Sequence, residues 1–214
     1  ALCQVRRYDE ALAVLEELFA VCTRLYGEHD NKTADAEADL ALAKSEIGGD
    51  DNLCNALQTL MRIYTFKSTF SARKEENTLE ISAELAIVHR KLGMVARATL
   101  RLREALAGLR QIRGDENSTV LYCQIELILC LVHENKMDEA RELYNYLVPV
   151  VLRVLGESHE LSVKLQAPAF LTAPSEIPRP SARAMALSRR ESLVPSRNRT
   201  ILNRALSLSR VRQK

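Results

Sequence analysis

At 214 residues the chain has room for one domain and a tail, and its longest apolar stretch, residues 143–155, is broken by Pro149 and Arg153, which excludes a membrane-spanning helix. The net charge of +2 hides a split: residues 1–167 carry 20 basic and 26 acidic side chains, net −6, whereas residues 168–214 carry 10 and 2, net +8. Five scattered cysteines (Cys3, Cys22, Cys54, Cys123, Cys130), with no CxxC pair, argue against a disulfide framework and read as reduced, packed thiols of a cytosolic protein.

The chain opens on ALCQVRRYDEA, which aligns with VHRKLGMVARA and CLVHENKMDEA further on. The alignment predicts that residues 1–10 begin inside a helix whose first half is missing. From Ala11 an apolar stripe runs through Leu15, Leu18, Phe19, Cys22 and Leu25 at helical period, up to a loop at Gly27. A second helix is predicted over about 34–47, with Thr33 as its cap-type residue and Leu40 and Ala41 on its stripe; Gly48-Gly49 then turns the chain. The block now returns. Ala56, Ala98 and Ala140 repeat the role of Ala11 at separations of 45, 42 and 42 residues, and Ala72, Gly114 and Gly156 repeat that of Gly27. Only Lys67 interrupts the stripe of the second unit.

Upstream helices are predicted again over 79–92 and 120–135, with stripes through Leu85-Ala86 and Leu127-Ile128 and turns at Leu92-Gly93 and Asn135-Lys136. Asn77 or Thr78, Ser118 or Thr119, and Ser162 are the cap-type residues, and Asn77 with Glu80 has capping-box spacing. A fixed period of this length means stacked supersecondary units and no strand: antiparallel helical hairpins, joined through small anchor residues that let neighbouring helices approach.

The order Leu85, Ala86, His89, LGM, Ala98, Leu102, Ala105, repeated as Leu127, Ile128, Leu131, ENK, Ala140, Tyr144, Leu147, resembles the tetratricopeptide repeat (TPR) family in its 42-residue, kinesin-light-chain-like form. The loops GEHDNKT (27–33), GDENSTV (114–120) and GESHELS (156–162) are similar to that form's G-x-x-H-P-x-T, with His159 at the loop His, Thr33 and Thr78 at the loop Thr, and no loop Pro. The resemblance covers 1–166 and implies an all-α, right-handed α-solenoid of about three full helix pairs with partial end repeats over 1–167. It also implies a concave groove lined by the upstream helices, where a partner peptide binds, and hence a non-catalytic scaffold or adaptor, a kinesin-light-chain-like cargo adaptor being one version. The Asn pair that grips a peptide backbone in related proteins is replaced by Ala38-Asp39, Ala83-Glu84 and Ile125-Glu126.

An acidic ladder results at Asp39, Glu84 and Glu126, with Asp35 and Glu80 one turn earlier. It suits a basic, extended peptide, although charged residues on an exposed helix face also serve solubility alone. Arg90, Lys91 and His133 give the far end a mixed sign, and Tyr122 can pack against a ligand or into the core. No phosphate loop, zinc-helix or nucleophile-elbow motif occurs, and His29, His89, His133 and His159 lie in separate repeats, so neither an enzyme nor a metal or cofactor site is expected.

Four of the six prolines fall in 168–182, and the Arg- and Ser-rich remainder to 214 reads as a disordered basic tail. Within it Ser192 and Thr200 follow basophilic-kinase patterns, and 199–212 can form an amphipathic helix with Leu202, Leu206 and Val211 at the spacing of some calmodulin targets; a membrane surface fits equally. The tail's charge also allows it to fold back on the acidic repeats and occupy the groove until phosphorylated. No nucleic-acid module accompanies it. The cysteines point to a cytoplasmic location, and the resemblance adds a cytoskeletal association as one version of it.

Overall fold

The computed structural model describes residues 2–70, 76–166 and 179–193. Among them are nine helices and no strand: α1 (Leu2–Tyr26), α2 (Asn31–Ile47), α3 (Asp50–Phe70), α4 (Glu76–Lys91), α5 (Val95–Arg113), α6 (Ser118–His133), α7 (Met137–Leu155), α8 (Glu160–Gln166) and α9 (Ala182–Leu193). Each of α1 to α7 packs on its successor, and α4 also touches α2 and α6 directly. The result is an α-solenoid with an inner layer of upstream helices and an outer layer of anchor helices.

The anchors sit where the apolar spacing places them. Ala56, Ala98 and Ala140 are buried, and Leu102, Ala105, Leu106 and Leu109 of α5 join Leu121, Ile125, Ile128 and Leu131 of α6 in one core. A second core joins Leu57, Leu60 and Ile63 of α3 to Ile81, Leu85 and Val88 of α4. The first stripe behaves differently. Ala11, Leu18 and Leu25 stay exposed, because among the described helices only α2 packs extensively on α1.

At the start of the chain α1 runs unbroken from Leu2. Later hairpin turns place Gly93 (φ 78°) and Asn135 (φ 59°) in the left-handed region, which glycine and asparagine tolerate. The helix caps expected from the sequence are corrected. Asp30 and Asn117 cap α2 and α6 by accepting from the amides of Lys32 and Thr119, while Thr33 and Ser162 lie inside their helices. Their hydroxyls donate instead to the carbonyls of Gly27 (2.7 Å) and Gly156 (2.6 Å), tying each upstream helix to the loop before it.

The tail expectation changes at 182–193, which are helical. Ser181 caps this helix by accepting from the amide of Ala184, and Ala184 and Leu187 pack into the core built on α3. The loop position Ala72, and residues 167–178 and 194–214 with Thr200 and the 199–212 segment, lie outside the described residues.

If the small anchors set helix spacing, Ala98→Leu will overpack the α5 contacts and lower stability by about 1–3 kcal/mol. Urea unfolding followed by circular dichroism reads this out. Ala107→Leu, on the exposed side of the same helix, should stay within about 0.5 kcal/mol of the wild type.

Candidate peptide-binding groove

The acidic residues of the first two inner helices converge. Asp35, Ala38 and Asp39 of α2 face Asn77, Glu80, Ile81 and Glu84 of α4 around a cavity of about 160 Å³. The stacking of α2 on α4 forces this meeting, since residues four apart share a helix face. A cation from the outer layer enters the same cluster. Lys67 of α3 is 3% exposed, and its Nζ lies 2.6 Å from Asp35 Oδ1. The one break in the apolar stripe is thus a lysine whose stem crosses the core to deliver its charge to the carboxylates.

The carboxylates are not equivalent. Glu80 is bound by Arg113 at 2.8 Å, and the same guanidinium bonds Glu76. Glu84 Oε2 is buried with no hydrogen-bond partner. Burial, reinforced by Asp39, Glu80 and Asp35 and opposed by Lys67, pushes the Glu84 carboxyl up to about 8. Partial burial and Asp35 raise the exposed Asp39 as well. At neutral pH Glu84 therefore carries a proton, and the cavity holds less negative charge than its composition suggests.

The third rung of the expected ladder is corrected. Glu126 is 1% exposed and fully engaged: Arg90 of α4 donates to its Oε2 through Nε (2.8 Å) and Nη2 (2.7 Å), and Lys164 of α8 lies 3.1 Å from Oε1. Its charge bridges three repeats and is not offered to a ligand. Around this bridge lie the other candidates. Lys91 pairs with Glu46 of α2 at 2.6 Å. Burial, helped by Glu126 and Glu46, raises the Tyr122 hydroxyl well above its ordinary value, while burial and Arg90 lower His133.

The candidates thus sort into two groups. Asp35, Asp39, Glu80 and Glu84 form the cavity; Arg90, Tyr122, Glu126 and His133 form a bridged, mixed-sign region, with Lys91 turned to Glu46. Of the partners, the sequence singled out only Lys67, as a charge at an apolar offset and not as part of this site; Arg113, Lys164 and Glu46 left no signal. His89 is a core histidine, its pKa lowered to about 3 by burial and by Arg101 and Arg97. Cys123 and Cys130 are buried thiols pushed up to about 12, again chiefly by burial. Among the described residues no group of His, Cys, Asp and Glu is arranged to hold a metal ion, and no helix is long and apolar enough to cross a membrane. Ser192 stands in the last turn of α9.

No family model and no curated protein matches this chain. Solved structures do, among them two of Podosopora anserina proteins described as kinesin light chain with nearly identical TPR-like repeats. The first, a point variant, is 19% identical with a TM-score of 0.59, covering 92% of this chain and 91% of that one. The second is 19% identical with a TM-score of 0.58, covering 91% and 90%. The chain shares the TPR-like repeat fold of these proteins.

Removing one partner of a buried ion pair strands the other. Arg90→Ala should therefore cost about 3 kcal/mol in urea unfolding, held to the low end by Lys164. Glu84 makes stability fall with rising pH. Between 4.5 and about 8 the folded chain keeps a proton that the unfolded chain has released. Glu84→Gln should then gain about 1–3 kcal/mol over the wild type at high pH and little at pH near 5. An equal gain at both ends would mean that Glu84 does not titrate in this window.

Proposed function

We propose that the chain is a non-catalytic protein-interaction scaffold whose inner-layer groove takes an extended partner segment, with the α2–α4 cavity receiving a lysine or arginine side chain of that segment. The observation that carries this reading is the cavity itself. It gathers four carboxyl groups, and Lys67 and Arg113 engage only Asp35 and Glu80 directly. A ligand cation would draw the proton off Glu84 and gain a buried, ionised partner. The mixed-sign region around Glu126 then serves as a rigid wall that sets how far the segment runs. A cargo-adaptor role of the kinesin-light-chain kind, in the cytoplasm, is one version of this reading, and the TPR-like repeat fold is compatible with it. Specificity would differ from that of groove-lining Asn pairs, since acidic residues stand at those positions here.

The alternative in which the chain's own tail fills this groove, released by phosphorylation at Ser192 or Thr200, gains nothing from residues 179–193. They lie against α3 and α5, in the outer layer. A membrane or calmodulin role for 199–212 falls outside the described residues.

Fluorescence anisotropy with a labelled decapeptide of alternating Lys-Ala and Arg-Ala pairs tests the groove. Asp39→Lys, at an exposed position, should weaken binding by about tenfold or more at low salt, while circular dichroism stays unchanged. Wild-type affinity should rise from pH 6 to pH 9 as Glu84 ionises. Binding indifferent to Asp39→Lys would move the site out of this cavity.

A further inference from the structure

The placement of α9 points to a second docking surface on the opposite layer. This short basic helix lies on α3 and reaches α5, and its charges match what lies beneath. At its first turn Arg183 donates to Asp51 Oδ1 (2.6 Å) and Asn55 Oδ1 (2.8 Å) of α3. Acidic groups there complement the positive end of the α9 dipole. Further along, Arg97 of α5 donates to the carbonyl of Ser188 at 2.8 Å, placing a cation toward the negative end. Between these clamps the contact is made by small residues one turn apart. Ala184 and Ser188 are buried, with Leu187 packed beside them. Sequence, dipole and charge therefore specify one orientation of one kind of helix: Arg, then Ala, then Ser four residues after the Ala.

The attachment is nonetheless light. Among the α9 side chains described, only those of Ala184 and Ser188 are buried, and neither is large. Asp51 is 87% exposed, so the Arg183 pair works in water and is screened by salt. A cleft of about 460 Å³ remains open beside the helix, between Met61 and Phe66 of α3 and Leu187. Residues 167–181 tether α9 to α8, so the helix stays at high local concentration even when it is off its site.

Beneath the start of α9 lies Cys54. Its side chain is fully buried in the same cluster as Ala184, on the stretch of α3 whose Asp51 and Asn55 hold Arg183. Cys123 and Cys130, by contrast, lie in the core between α5, α6 and α7.

We propose that the face formed by α3 and α5 is a docking surface for a short basic helix, that α9 is its occupant in cis, and that α9 leaves and re-docks while the repeats stay folded, uncovering Cys54 as it goes. The surface is independent of the inner-layer groove, so its occupancy and groove binding vary separately.

Iodoacetamide labelling of the full chain, resolved by mass spectrometry at each cysteine, tests this directly. In the wild type Cys54 is expected to label about tenfold faster than Cys123 and Cys130, and faster still with added salt. Arg183→Glu raises the Cys54 rate by roughly another tenfold, and a synthetic peptide of residues 179–193 added in trans lowers it again. Ala184→Leu, which blocks the seat without altering charge, gives the same acceleration. Cys54 labelling in step with Cys123 and Cys130 in the wild type would overturn the proposal, because opening would then be global. So would a peptide without effect on the Arg183→Glu chain. The decapeptide affinity of the groove stays unchanged in Arg183→Glu, which separates failure here from failure of the groove reading.

Discussion

A helical hairpin with an apolar stripe on each member leaves part of both stripes in water until another hairpin stacks on it. Everything else in this chain depends on that contact. Its geometry is set by alanine. Ala56, Ala98 and Ala140 have no side chain beyond Cβ to hold neighbouring helices apart, and the larger residues around them, such as Leu102 and Leu147, then fill the space completely. The short turns at Gly93 and Asn135 follow from the same demand, since hairpin partners must pack side by side from their first residues. On the face of α1 that no described hairpin covers, the same sequence pattern leaves Leu18 and Leu25 exposed.

Stacking also decides what the charged residues do. Because inner helices lie directly on one another, an acid on one meets whatever the next presents at the same level. At the α4–α6 level Glu126 meets Arg90, and Lys164 of α8 closes the other side; the charge is neutralised and becomes part of the join. At the α2–α4 level acids meet acids. The excess is relieved in three ways: Lys67 arrives through the core, Arg113 binds Glu80, and Glu84 retains its proton. Two levels built on the same repeat thus reach opposite outcomes, one inert and one poised.

The sequence disclosed the repeat well because helix spacing is a one-dimensional property. The anchor interval, the stripe offsets and the turn positions can be read along the chain without knowing what faces what. Pairing across repeats is not of that kind. Asp39, Glu84 and Glu126 look alike as rungs at equivalent positions, yet their fates depend on residues far along the chain, as with Arg90 and Glu126, 36 positions apart. The helix ends were misread for a related reason. Thr33 carries a cap-type hydroxyl, but its bond goes six residues back to Gly27, a contact that exists only once loop and helix are docked.

The misreading of 182–193 has a different origin. Arg and Ser content and the nearby prolines describe the average of a long segment, and that average resembles disorder. The local order of residues says otherwise: Ser181 stands at a cap position, and Ala182, Ala184 and Ala186 follow with strong helix propensity. Propensity alone leaves a helix of this length marginal in water. What tips the balance is the face of α3 and α5, with Asp51 at one end and Arg97 at the other. A segment whose order is borrowed from a surface in this way has its helix content coupled to docking. Whatever competes for that surface, or screens Arg183 from Asp51, acts on both together.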